Sequence, residues 1–281
     1  MTLNVTYSGV VKFENGDWKE YALWYVGFTA LFFAIFLGFK VAMDKIQPDV
    51  YKNITDTREK YEFLERCGSS TNHLILLSLI TWAFFNVDCD DAWIEDDYCF
   101  TYPDKKFVKV LMVSCAYFFW DIIIIRYCIS CDPSFDDKMV RQTIYHHVIG
   151  LVAILFSIYG GYALPGISCL AMTSELSTIF LNIREMFPRE SRGKSKLYNF
   201  NFVIFILSFT VFRIMLFPTC IYLAIKDIGL VWDHISGMRQ FCIIFMIILF
   251  LGIFALNVFW FKIICMITKK NLGLEPMDDE D

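Results

Sequence analysis

Gln142-Thr-Ile-Tyr-His-His-Val-Ile-Gly-Leu-Val-Ala-Ile-Leu-Phe-Ser-Ile-Tyr-Gly-Gly-Tyr162 is the stretch whose reading decides the fold. From Val148 to Tyr162 it is a continuous apolar run rather than an alternating one, so it reads as a membrane helix and not as a barrel strand. His146 and His147 stand side by side at its entrance. Ionisable side chains are costly inside a span and usually serve an internal pairing or a function. Two adjacent imidazoles can act as base, acid, nucleophile or metal ligand near neutral pH. The plainer alternative is a pair of helix-end histidines bonded to nearby backbone.

The rest of the chain agrees with a membrane setting. Hydrophobic residues make up 57% of the 281, 29 of them Phe, and the mean hydropathy is +0.49. A soluble chain of this length would not normally carry so much apolar surface. The net charge of −5 comes mainly from loops and tail, so it does not point to nucleic acid. The first twenty residues are too polar for a cleavable signal peptide (Asn4, Lys12, Glu14, Asp17, Lys19), which leaves the first span as the targeting signal.

A span needs about twenty apolar residues. Seven stretches qualify: 21–43, 73–87, 107–129, 142–162, 166–187, 199–225 and 239–267. The second is short, so the expected fold is an all-α polytopic membrane bundle of about seven transmembrane helices, or six if that stretch fails to cross. Gly160, Gly161 and Pro165 suit a sharp turn between the fourth and fifth spans.

Basic residues set the orientation. Lys45, Lys52, Arg58, Lys60 and Arg66 follow the first span, Lys138 and Arg141 the third, and Arg189, Arg192, Lys194 and Lys196 the fifth. The opposite loops are poor in Lys and Arg, and one is strongly acidic (Asp88, Asp90, Asp91, Glu95, Asp96, Asp97). The N-terminus is therefore expected outside or in the lumen, and the C-terminus in the cytosol. The Asn4-Val5-Thr6 sequon fits that side. Cys89 and Cys99 share the acidic loop and could close a disulfide there.

This orientation gives the polar residues a depth. Asp121 falls in the cytosolic half of the third span, with Arg126 lower, and His146 and His147 in the first two turns of the fourth. Glu175 lies near the middle of the fifth span, with Asn182 and Arg184 lower; Glu175, Thr178 and Asn182 share one helical face. Arg213 lies near the middle of the sixth, and Asn257 and Trp260 in the cytosolic half of the seventh. Polar groups from five helices thus converge on one zone, as residues of a site must when each has to face the bundle interior or water. His73, read as the opening residue of the second span, and His234, read into a lumenal loop, fall outside that zone, so neither a metal nor a cofactor is expected. Cys128 and Cys131 have redox spacing without a thioredoxin-like context.

His146-His147, Trp120-Asp121, Glu175-Leu-Ser-Thr-Ile-Phe-Leu-Asn-Ile-Arg184, Phe212-Arg213-Ile214 and Leu256-Asn-Val-Phe-Trp-Phe261 resemble the TLC-domain family, which includes ceramide synthases and translocating-chain-associated proteins. The likeness is greatest to the smaller TLC-domain-containing membrane proteins. It implies a lipid-handling domain over about 60–275, preceded by a segment, 1–59, that holds the first span and a cytosolic loop, and followed by an acidic tail, 276–281. The ceramide-synthase pattern continues to a His-Asp-x-x-Asp segment that this chain lacks, which counts against acyl transfer from coenzyme A to a sphingoid base.

Two functions follow. In the first, the chain is an acyltransferase of the ceramide-synthase kind. His146, His147, Asp121 and Asn182 are then catalytic: Asp121 fixes a histidine tautomer, the histidine takes a proton or briefly carries an acyl group, and Asn182 donates to a carbonyl oxygen gaining charge. Glu175, Arg184, Arg213 and Trp260 bind substrate, with Arg184 and the basic loops drawing a phosphate or coenzyme A head group. In the second, the chain is a non-catalytic lipid-binding or structural subunit, and the same polar residues join helices, Glu175 and Arg213 as a salt bridge. Membrane lipids are the expected partners in both, acyl-coenzyme A in the first and other membrane subunits in the second. The membrane is the endoplasmic reticulum, or the mitochondrial inner membrane if the assembly is respiratory.

Overall fold

The computed structural model describes residues 17–87 apart from 47, 53 and 55, and residues 104–161, 164–187 and 195–271. Seven long helices and no strand occur among the described residues: α1 Asp17–Ile46, α2 Thr57–Phe85, α3 Lys105–Cys131, α4 Lys138–Gly160, α5 Leu164–Met186, α6 and α7 Gly237–Asn271. α6 is built from Lys196–Phe209, a π-helical turn Thr210–Leu216, and Phe217–Val231. Six of the seven, all but α2, are long and apolar enough to cross a membrane. The protein is an all-α polytopic membrane bundle.

Local signals place the helix starts. Asp56 caps α2 by accepting from the Arg58 N–H, Asp104 caps α3 through the Lys106 N–H, and Asp137 caps α4 through the Val140 N–H. Each carboxylate satisfies a backbone donor that the helix leaves open. Gly161, at φ +71°, ends α4 in a conformation a side chain would resist, and Pro165 then sits in the first turn of α5.

The second apolar stretch is longer than its hydropathy shows. It is the C-terminal half of α2, a helix of 29 residues. At about 1.5 Å per residue that exceeds the roughly 30 Å hydrocarbon core. Arg58, Lys60 and Arg66, read above as loop residues, are helical. Asp56 and Glu59 stand at capping-box spacing at the helix start, but the charges of these first turns hide the helix from a hydropathy reading.

Ion pairs show that α2 runs the length of the bundle. At one end the α1 and α3 starts meet through Lys105 Nζ and Asp17 Oδ1, 2.9 Å apart, and Lys106 Nζ donates to the carbonyl of Asn86 at the α2 terminus. At the other end Arg58, in the first turn of α2, donates to Ser134 O at 2.6 Å and to Asp137 Oδ2 at 2.7 Å, before α4. α2 packs against α1, α3 and α5, while α7 lies along α4. One apolar core (Phe32, Leu76, Tyr117, Trp120) joins α1 to α4, and a second (Leu164, Cys220, Met246) joins α4 to α7. The polar site lies between them. Cys89, Cys99, the Asn4 sequon and the acidic tail lie outside the described residues.

Candidate functional site

Two helices leave α geometry at the same contact. α5 tightens to a 3-10 turn at Thr173–Glu175, and α6 widens to its π turn around Arg213. Such departures inside long helices recur at functional sites. Here they bring Arg213 Nη2 to 3.3 Å from Glu175 Oε2. Arg213 also donates through Nε to Ser177 Oγ at 2.8 Å, through Nη1 to Asn257 Oδ1 at 3.2 Å and through Nη2 to Thr178 Oγ1 at 2.8 Å. Both side chains are buried, and the charge of each is compensated by the other.

His73 completes this knot, which corrects the reading that set it outside the zone. It is fully buried in mid α2, with Nε2 3.0 Å from Glu175 Oε2 and Nδ1 2.7 Å from the Ser69 carbonyl. The Ser69 hydroxyl also lies 3.3 Å from Nδ1, so both ring nitrogens have polar partners. The error came from starting the helix at residue 73. Once α2 begins at Thr57, Glu65, Ser69, Asn72 and His73 fall on one face at helical spacing. Glu65, Arg66 and Ser69 were missed for the same reason.

The second cluster is His147 with Asp121. His147 Nδ1 lies 2.9 Å from Asp121 Oδ2, and both groups are buried. The N–H is turned off the line to the carboxylate, so the contact is a close ion-pair distance rather than an aligned hydrogen bond. Phe118 stacks on the imidazole at 4.9 Å and holds its plane. Nε2 is left for a ligand. His146 faces elsewhere: its ring meets Trp260 edge-on at 5.4 Å, and its Nε2 stands 3.9 Å from Glu175 Oε1. Arg126 is exposed and apart from this pair.

Both clusters open on one cavity of about 390 Å³. Its deep wall carries Tyr117, Asp121, His146, His147, Glu175 and Arg213, and its outer reach Arg58, Asp137 and Met139. Met139 is exposed, so the cavity leads to the bundle end where Arg58 holds Asp137. Phe205, Phe209, Trp260 and Ile264 add apolar surface to the same lining, with Arg213 over the Phe209 ring at 5.5 Å. An amphiphile would meet both polar and apolar surface there.

The remaining sequence candidates are placed as follows. Arg184 lines the cavity, with Nε donating to the Tyr198 hydroxyl at 3.1 Å. Trp260 lines it too, and its Nε1 donates to Gln142 Oε1 at 3.3 Å. Asn182, expected beside a substrate carbonyl, is not among the lining residues. It is fully buried behind the wall, accepting from Arg66 Nη1 and donating to Ser69 Oγ, each at 3.1 Å. One helical face carries Glu175, Thr178 and Asn182 as expected, but the cavity ends before it reaches the third. No cluster of three or more His, Cys, Asp or Glu able to hold a metal occurs among the described residues.

A polytopic helical bundle with a buried histidine–carboxylate site open to one end defines a class of integral membrane protein. Within that class the chain belongs to the TLC-domain family, whose model matches residues 62–266. It is also similar to TLC domain-containing protein 4 C of Dictyostelium discoideum, 26% identical over 203 residues that cover 70% of this chain and 69% of the relative.

Proposed function

We propose that this TLC-domain protein binds a membrane lipid in the cavity and transfers an acyl group there, with His147 and Asp121 as the working pair. The observation that carries this is the 2.9 Å contact between His147 Nδ1 and Asp121 Oδ2 on the wall of the cavity of about 390 Å³. A small turn of the imidazole would align Nδ1–H with Asp121 Oδ2, and Asp121 would then favour the proton on Nδ1 and leave Nε2 basic. Nε2 takes the proton of an acceptor hydroxyl or amine as the acceptor atom bonds to the acyl carbonyl carbon. The proton then passes to the leaving group as the donor's acyl bond breaks. The Tyr117 hydroxyl, on the same wall, replaces Asn182 as the donor to the carbonyl oxygen. Arg66 and Arg184 hold the donor's phosphate, coenzyme A being the donor of first choice. The domain of about 60–275 carries the activity, and the endoplasmic reticulum is its membrane.

The other reading is a non-catalytic lipid-binding subunit. The fully partnered knot of Glu175, Arg213 and His73 favours it, because such a knot joins helices without any chemistry. One experiment separates the two. Wild-type and His147→Ala protein in lipid nanodiscs are given radiolabelled acyl-coenzyme A and a mixed lipid acceptor, and turnover and melting temperature are read together. Loss of turnover at unchanged melting supports the enzyme. Wild-type protein that transfers no label, with a variant that melts early, supports the subunit.

A further inference from the structure

Six helices close a ring around the cavity, packed in the order α2, α3, α4, α7, α6, α5 and back to α2. Most seams of this ring carry a polar fastening. Ser69 Oγ lies 3.2 Å from the Tyr117 hydroxyl between α2 and α3, and Asp121 meets His147 between α3 and α4. Trp260 donates to Gln142 between α7 and α4, Asn201 to the Phe180 carbonyl between α6 and α5, and Glu175 meets His73 between α5 and α2. The remaining seam, α6 with α7, is fastened where Arg213 donates to Asn257. One turn nearer the cavity mouth its character changes. Phe209 and Phe261 stack across it, ring centroids 6.2 Å apart and planes within 8°. Phe202, Phe205 and Ile264 continue it as a small apolar cluster separate from the two main cores. In this half α6 packs chiefly on α5 and α7 on α4; the two pack closely on each other from the π turn onward. On the inner side Phe205, Phe209 and Ile264 line the cavity, while Phe200, Leu207 and Met266 of the same half-helices are exposed. A thin layer of side chains thus separates the cavity from the hydrocarbon of the bilayer.

We propose that this seam is the door through which an acyl chain of a bilayer lipid enters the cavity, with Phe209 and Phe261 as its two leaves and the π turn Thr210–Leu216 as its hinge. The proposal rests on the lipid-binding part of the reading above and not on the acyl transfer. Parting the Phe209–Phe261 stack breaks no hydrogen bond, and a hydrocarbon chain restores the apolar contact that the rings lose. Parting one of the fastened seams would leave a polar group unsatisfied in hydrocarbon. Arg213 lies over the Phe209 ring and holds that leaf from above, so Phe261, half-buried, is the leaf that yields. Helices kink at π turns, which lets 196–209 lean from α7 while Arg213 keeps its contacts with Glu175 and Ser177.

Photo-cross-linking in nanodiscs tests the door. The protein is reconstituted with a phosphatidylcholine that carries a diazirine in its acyl chain, and adducts are mapped by peptide mass spectrometry. Tyr117 and Ile125, both buried on the cavity wall, report entry, and the exposed Phe200 and Leu207 report the surrounding bilayer. We expect adducts at both sets in the wild type. In Phe209→Cys/Phe261→Cys protein, with Cys265→Ser removing the thiol one turn away, a short bifunctional thiol reagent ties α6 to α7. Cavity adducts should then be lost and outer adducts kept, with each single cysteine variant as the control. Cavity adducts undiminished by the tie overturn the door and leave lipid binding standing. Outer adducts without cavity adducts in the wild type overturn lipid binding, and the door with it. Should the cysteine pair fail to fold, Phe261→Ala decides. Cavity labelling should quicken roughly two- to tenfold, the rate equivalent of one aromatic pair, and an unchanged rate overturns the door.

Discussion

His73 Nε2 meets Glu175 Oε2 at 3.0 Å, across 102 residues of chain and between α2 and α5. The same oxygen accepts from Thr178 and from Arg213, so three helices close on one buried atom. Removing either charge from such a knot leaves the other buried and uncompensated, at about 3–5 kcal/mol. We expect Glu175→Ala and Arg213→Ala each to lower the unfolding free energy by that order in detergent. The double variant should lose less than the sum, because the two groups answer each other. Full additivity, measured by thermal unfolding, would sink the coupling.

Asp121→Asn separates orientation from fold. The amide keeps the shape of the carboxylate but can present a donor to His147, and so favour the wrong tautomer. Turnover should fall roughly 100-fold or more, the scale of positioned acid–base groups, with little change in melting. Activity near the wild-type level would remove Asp121 from the mechanism.

Gly150 lies under the site. A Cβ there would stand 2.9 Å from Phe118 Cε2, and Phe118 is both buried and stacked on His147. Gly150→Ala should therefore cost about 1–3 kcal/mol by overpacking and move the imidazole. A crystal or cryo-electron structure of the variant with His147 unmoved would contradict this.

Arg58 fastens α2 to the start of α4. Burial raises the Asp137 carboxyl, but the Val140 N–H and Arg58 outweigh it and hold the group below its usual range. The contribution is therefore present at neutral pH and is lost as pH falls through the depressed value. The pair is half exposed, so Arg58→Ala should cost under about 1 kcal/mol. The difference from wild type should shrink in acid; a gap that widens there would reverse the sign.

Orientation can be read at Cys131, exposed at the α3 end that faces the cavity mouth. With the C-terminus in the cytosol, a membrane-impermeant maleimide should label Cys131 in intact microsomes, with Cys131→Ser as the control. Labelling only after permeabilisation would invert the topology.

Much of this protein was legible in its sequence. Continuous apolar runs fixed six of the helices, because hydropathy and helical period are properties of neighbouring residues. The depth argument brought Asp121 and His147 together correctly, since antiparallel helices joined by a short link place residues equally far from that link side by side. The charged half of α2 was hidden, because its charges meet partners far along the chain, Arg58 at Asp137 and Arg66 at Asn182, and hydropathy cannot register a neighbour. Packing alone decided that His73 and Glu65 join the site, that Asn182 stands behind the wall, and that a π turn aims Arg213 at Glu175. A buried charge is tolerated only where a partner meets it, and here the partners of Glu175 lie 38 and 102 residues away along the chain, set by how the helices cross.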